Sequence, residues 1–369
     1  MKKRIIALLL SATMLVSLTA CGAKNDAGKD TTEGTNTEQP ADDAAEDTAG
    51  DADKKTDFSA GMVTDTGGVN DQSFNQSAWE GLQSLQEKTG ATVSYLESTQ
   101  ETDYAPNLDK QVDEGKNLIW GIGFAMADAI LTAADTNPDV NFAIVDNAYE
   151  ETPSNVTGVM FRAQEPSFIV GYIAGLTTKT GKVGFVGGIT SNIIDQFEYG
   201  YKAGVDYAAK ELGKEISVDV QYAESFGDSA KGKAIATKMF SDGCDIVFHA
   251  AGGVGVGVIE AAKEAGKFAI GVDRDQAYLA PENVLTSALK LVNVAVELVS
   301  TEALNGTDIG GKTYTYGLSE DAVGIPEENP NMDSAVYDKA MEVEQLIKDG
   351  TIVPPYDKDT YKTYSDSAK

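Results

Sequence analysis

The sequence predicts an α/β protein of two doubly wound lobes that face each other across a crevice, and three observations carry that expectation. Short apolar runs alternate with helical segments from Phe58 onward. The alternation runs through one series that ends near Phe161 and starts again at Lys182. Acids and amides recur just beyond the strands, at Asp65, at Asp146-Asn147 and at Asp273. Parallel βα units bring all strand carboxyl ends to one edge of a sheet, where an open sheet binds its ligand.

In the first series, Met62 and Val63 end a strand, Gly67-Gly68 permits a tight turn, and Asp71 or Ser73 caps a helix carrying Trp79 and Leu82. Asp65, Asn70, Asp71 and Phe74 thus gather two acids, an amide and a ring at the expected cleft; turn chemistry and a hydrophobic staple are the competing account. Strands are expected at 91–95, 117–123, 140–145 and 156–161, with helices at 108–114, 125–134 and 166–178. The second series repeats the pattern, with strands at 182–187, 217–222, 245–252 and 267–273 and helices at 197–212, 231–241 and 256–265. Beyond it, the strand 284–290 and the helix 293–304 are expected to return to the first lobe, and 314–318 with the helix 334–348 to close on the second. The lobes then span 58–161 plus about 285–311, and 162–284 plus about 312–369. Repeated crossings of this kind make a hinge.

The remaining termini and bulk properties bound the function. Residues 1–20 combine a basic start with an apolar core too short for a membrane span, which marks a secretory signal. Leu18-Thr-Ala-Cys21 resembles a bacterial lipobox, implying a lipid-anchored Cys21 on the extracytoplasmic face of the cell membrane. Residues 22–57 hold eleven acids against four lysines without hydrophobic period and read as a disordered tether. The other cysteine, Cys244, is left without a disulfide partner. With 369 residues and a net charge of −29, the chain is long enough for two cores and ill suited to bind nucleic acid. A single histidine, His249, excludes Cys/His zinc clusters, and no nucleophile motif accompanies it.

Ala250-Ala-Gly-Gly-Val-Gly-Val-Gly257 lies between a strand and a helix but fits neither the dinucleotide fingerprint nor the P-loop. Its glycines, Gly252 among them, instead leave helix N-terminal NH groups free for a ligand's hydroxyls. Phe226, in Ser225-Phe-Gly-Asp228, stands at another strand end, facing the cleft or serving a cap. Asp273-Arg-Asp275 is placed to grip vicinal hydroxyls or to form an ion-pair turn.

From Phe58 to about Pro355 the chain resembles the basic membrane protein family of substrate-binding lipoproteins, a group that includes purine nucleoside receptors of ABC importers. The resemblance rests on Val63-Thr-Asp-Thr-Gly-Gly-Val-Asn-Asp-Gln-Ser-Phe-Asn-Gln76, Gly252-Gly253, Ile270-Gly-Val-Asp-Arg-Asp-Gln276, Val284-Leu-Thr-Ser-Ala-Leu-Lys290 and Ala322-Val-Gly-Ile-Pro-Glu-Glu-Asn-Pro330. It implies a type I periplasmic-binding-protein-like clamshell with the ligand in the interlobe cleft. Matched motif by motif, it implies Phe74 and Phe248 as the rings that stack on the base, with Phe226 the other candidate for the second ring. It likewise implies Asp65 and Asp146 at the base and Asp273 and Lys290 at the ribose, while Asn70 stands where many members carry an acid. The expected protein is a monomeric receptor, without cofactor, metal or catalytic residues, that passes a purine nucleoside to an ABC-transporter permease. A sugar receptor or ligand sensor on the same fold, and an exported nucleoside hydrolase, are the alternatives; the last needs a metal or a placed nucleophile that the sequence does not offer.

Overall fold

The computed structural model describes residues 56–368; the expected signal segment, the expected lipidation site Cys21 and nearly all of the expected acidic tether lie outside the described residues. The first series forms β1 (Ser59–Thr64), α1 (Phe74–Thr89), β2 (Thr92–Leu96), α2 (Tyr104–Asp113), β3 (Leu118–Ile122), α3 (Ala127–Thr136), β4 (Asn141–Val145) and β5 (Val156–Phe161). After α4 (Gln164–Thr177) the second series forms β6 (Lys182–Gly187), α5 (Asn192–Leu212), β7 (Ser217–Tyr222), α6 (Ser229–Ser241), β8 (Ile246–Ala250), α7 (Val254–Ala265), β9 (Phe268–Asp273) and β10 (Val284–Lys290). The chain closes with α8 (Val292–Leu304), β11 (Lys312–Tyr316), β12 (Val323–Gly324), α9 (Ser334–Lys348) and α10 (Lys358–Ala368).

Two six-stranded sheets result, ordered β11-β5-β4-β3-β1-β2 and β12-β10-β9-β8-β6-β7. Every pairing is parallel except β10 with the two-residue β12. The orders correspond strand for strand, so β1 matches β6, β3 matches β8 and β4 matches β9. Strands buried on both faces read as apolar runs, unbroken in Leu118–Ile122 and interrupted only by His249 in Ile246–Ala250, because helices cover both sides of a parallel sheet.

Two strands lie in the lobe opposite to the one expected. Val284–Lys290 stays in the second sheet, parallel to β9, and Lys312–Tyr316 joins the first sheet beside β5. The reason is burial: six of the seven residues of β10 are buried, which suits an interior strand between β9 and β12, whereas the half-exposed β11 suits the open edge beyond β5. Helix α8 does return to pack on α1, and α9 packs on α4 in the second lobe. The crossings therefore fall at 161–164, 290–292 and 316–323.

Helices α4 and α5 approach closely because they meet at small residues. A Cβ at Gly171 would lie 2.1 Å from the Tyr201 carbonyl oxygen, and one at Gly204 would lie 2.0 Å from that of Phe168. Cys244 is a free, buried thiol, which burial pushes up to about 11. Among the described residues, no helix is long and apolar enough to cross a membrane.

Candidate functional site

The carboxyl ends of both sheets converge on one cavity. From the first sheet, β1 delivers Asp65, β3 delivers Gly123 and Phe124, β4 delivers Asp146, and the start of α1 supplies Asp71, Phe74 and Asn75. From the second, the β7–α6 loop supplies Phe226, β8 and its loop supply Ala250 to Gly252, β9 supplies Asp273, and β10 supplies Lys290. The first turns of α5 add Ile193, Ile194 and Phe197.

Corresponding strands carry the same device at their ends. Asp146 follows β4 and Asp273 ends β9, and both adopt the left-handed backbone region with φ of 64°. Aspartate tolerates that region better than most residues, and such strain gathers at binding sites because it turns a strand-end side chain toward the ligand. Gly252 is also left-handed, at φ 55°, where a Cβ would sit 3.2 Å from the Phe226 carbonyl oxygen.

Polar contacts join the lobes inside the cavity. The Lys290 ammonium pairs with Asp146 Oδ2, and the Ser73 hydroxyl donates to Asp273 Oδ2. Lys290 Nζ also lies 4.6 Å from the centre of the Phe74 ring and 5.2 Å from that of Phe161, so aromatic faces share its charge. It is the only cation among the cavity-lining residues, against Asp65, Asp71, Asp146 and Asp273.

That imbalance sets the protonation of the site. Burial pushes Asp65 up to about 7, against hydrogen bonds donated to its Oδ1 by Asn75 Nδ2 and the Gly67 amide, both at 2.8 Å; nearby Asp71 and Asp146 push it further. Burial raises Asp273 to about 6 although Lys290 and the Ser73 hydroxyl favour its charged form. Asp71 is raised by burial too, yet its carboxylate is already committed. It accepts from the amides of Ser73, Asn75 and Gln76 at 2.9, 2.8 and 3.1 Å and from Asn75 Nδ2 at 3.0 Å, which makes it the cap of α1.

Of the residues singled out in the sequence, Asp65, Asp71, Phe74, Asp146, Phe226, Gly252, Asp273 and Lys290 meet at this cavity. Two do not. Asn70 is exposed outside it. Phe248 lies two residues short of the end of β8, fully buried, with ring centres of Phe185 and Tyr201 at 5.5 and 5.1 Å; it is a core residue. The rings that the second lobe brings to the cavity are instead Phe226 and Phe197. Phe226 meets Phe124 edge-on at 6.3 Å, across the two lobes. His249 is buried away from the cavity, where its Nε2 donates to Gln276 Oε1 at 3.0 Å and burial pushes it down to about 4.

Among the aromatic and polar contributors, Phe124, Phe197 and Asn75 were missed in the sequence. Phe124 follows β3 as Asp65 follows β1, so the strand-end rule already pointed to it. Phe197 sits a turn inside α5, which starts at Asn192 with Ser191 Oγ accepting from the Ile194 amide at 3.3 Å; the Ser191 cap was the available signal. Ser73 was expected only as a helix cap, because its partner Asp273 comes from the fold, whereas Asn75 sits four residues after Asp71, at a spacing that lets it bond that carboxylate. Among the described residues no group of three His, Cys, Asp or Glu side chains is arranged to hold a metal ion. Chemically, the cavity offers ring faces to a flat apolar body and mostly acceptors to its edges.

A family model described as ABC transporter substrate-binding protein PnrA-like matches residues 58–358. A CD4+ T-cell-stimulating antigen of Listeria innocua is 41% identical over 96% of this chain and 99% of its own length. An ABC transporter nucleoside-binding protein, BmpA, of Lactococcus lactis is 41% identical over 82% of this chain and 90% of its own. The crystal structure of an ABC transporter solute-binding protein from Aeropyrum pernix superposes with a TM-score of 0.76 at 27% identity, covering 84% of this chain and 97% of that one.

Proposed function

This chain belongs to the Bmp family of PnrA-like ABC transporter substrate-binding proteins, and from that premise we propose that it captures an uncharged purine nucleoside between its lobes and delivers it to an ABC permease. The observation that carries this reading is the composition of the cavity: aromatic rings from both lobes, four carboxylates, one lysine and no arginine. Phe74 and Phe226 stack on the base, Asp65 and Asp146 accept from its edge donors, and Asp273 with Lys290 holds the vicinal ribose hydroxyls. Asp71 supports the site as the cap of α1. A site with four acids and no arginine clamp repels phosphate, which favours a nucleoside over a nucleotide. The nucleoside-binding description of the Lactococcus lactis relative supports the same ligand class. We further propose that Cys21 carries a lipid anchor holding a monomeric receptor at the extracytoplasmic face.

Thermal-shift titration with guanosine, inosine, adenosine, free ribose and hexoses tests the reading. A purine nucleoside at 100 times its dissociation constant should stabilise the protein by about 2.7 kcal/mol, with ribose giving little. Stabilisation by hexoses and by no nucleoside overturns it.

A further inference from the structure

Outside the cavity, a second set of contacts bridges the lobes, two of them on Gln72 in the loop before α1 and one on Glu80 in α1 itself. Gln72 in that loop is held left-handed at φ 58°, a strained setting for a glutamine. From the β9–β10 loop of the other lobe, Gln276 Nε2 donates to the Gln72 carbonyl oxygen at 2.9 Å. The Tyr278 hydroxyl donates to Gln72 Oε1 at 2.7 Å. Arg274 Nη1 lies 3.0 Å from Glu80 Oε1, a charge contact without hydrogen-bond alignment, and its guanidinium sits 5.7 Å from the Tyr278 ring centre. None of Gln72, Glu80, Arg274, Gln276 and Tyr278 lines the cavity.

The gripping side is rigidly mounted. Gln276 is fully buried, its Oε1 accepts from the Val272 amide at 2.9 Å and from His249, and its own amide donates to Ser287 Oγ at 3.1 Å. One residue thus ties β8, β9 and β10 together and directs its side-chain Nε2 to the opposite lobe. This also accounts for the buried His249, which braces Gln276.

We infer that Gln276 and Tyr278, assisted by Arg274, are positioning residues that clasp Gln72 and set the ratio of closed to open clamshell independently of ligand contacts. By seating the loop, the clasp also brings Ser73 onto Asp273. The inference rests on the two-lobed fold and not on the identity of the ligand, so it stands or falls apart from the nucleoside reading.

The test is single-pair fluorescence energy transfer in the ligand-free full chain, with dyes on non-natural residues replacing the exposed Glu87 of α1 and Lys263 of α7. Tyr278→Phe removes one hydrogen bond, and Gln72→Gly removes the same bond while remaining compatible with the left-handed backbone. Each should lower the closed-to-open ratio about 2- to 12-fold, the worth of one hydrogen bond. Tyr278→Phe should then have no further effect in the Gln72→Gly background, a coupling that a merely structural role of either residue would not produce. Unchanged distributions, fully additive effects, or a parent chain that is open throughout each overturn the inference.

Discussion

Asp65→Asn should make the ligand-free protein more stable at neutral pH while weakening ligand capture. In the folded chain burial lifts Asp65 from its ordinary 3.8 to about 7. At about 1.36 kcal/mol per pH unit this displacement costs on the order of 4 kcal/mol when the carboxylate is ionised. That figure is a ceiling, because a clamshell escapes part of the cost by opening and readmitting water, so a gain of about 1–4 kcal/mol is expected. Asparagine keeps the oxygen that accepts from Gly67 and Asn75 and replaces only the other oxygen, so the turn survives. The pH dependence follows from the direction of the shift. A folded-state value above the unfolded one means that the folded chain binds more protons between about pH 4 and pH 7, so this residue's contribution is fully present at low pH and is lost as pH rises through that window. The asparagine variant lacks this loss. Urea unfolding of both proteins from pH 4 to 8 should show equal stabilities near pH 4 and a difference that grows to a plateau above pH 7. A variant less stable than the parent at pH 8, or a difference that does not change with pH, refutes the reasoning. In the same variant an amide donor faces the ligand where an acceptor stood, and a mismatch of this kind costs about 1–3 kcal/mol of affinity.

Two further outcomes separate core from cavity. Phe226→Ala should weaken nucleoside binding by about 1–3 kcal/mol, the worth of one stacked base, with little change in ligand-free stability, whereas Phe248→Ala should cost about 3–5 kcal/mol of stability by leaving a hole against Phe185 and Tyr201; calorimetric titration and denaturant unfolding of both variants check this, and the reverse pattern would restore Phe248 to the site. Lys290→Met strands Asp146 and removes the charge that favours ionised Asp273, a break of about 3–5 kcal/mol at pH 8 that should shrink toward pH 5 as Asp273 protonates; a pH-independent loss in the same unfolding series would show that the ammonium does not balance Asp273.

Much of this architecture was legible because parallel strands buried on both faces leave a direct trace. Val156–Phe161 and Lys182–Gly187 are apolar runs bounded by turns, and the structure has strands at those residues. Lobe membership of β10 was not legible: nothing in Val284–Lys290 itself says whether the following crossing comes before or after the strand. Helix α10 escaped notice because Lys358–Ala368 is largely polar and its hold on the fold is long-range, through Tyr361 to Asp206 at 2.7 Å and Tyr364 against Phe168. The site shows the same division. Asp65, Asp146 and Asp273 follow from a local rule about strand ends, but Phe248 satisfies a similar local pattern and still points into the core. Alternation along a strand shows that neighbouring side chains face opposite sides and does not show which position is the last.

The interlobe contacts belong wholly to the illegible part, and they explain why the acids are tolerated at all. Ser73 and Asp273 are 200 residues apart in sequence, and Lys290 and Asp146 are 144 apart; each pair forms only when the two sheets meet. Closure therefore buries the carboxylates and simultaneously supplies their partners, but it supplies too few. One ammonium and one hydroxyl bridge the lobes against four acids, and the shortfall appears as the raised Asp65, Asp71 and Asp273. A ligand bringing N–H and O–H donors supplies what closure lacks, and one bringing negative charge deepens the deficit. On the proposed reading, the electrostatic strain of the closed cleft favours a neutral, donor-rich ligand, and the contacts at Gln72, which touch none of these acids, hold the lobes together against it.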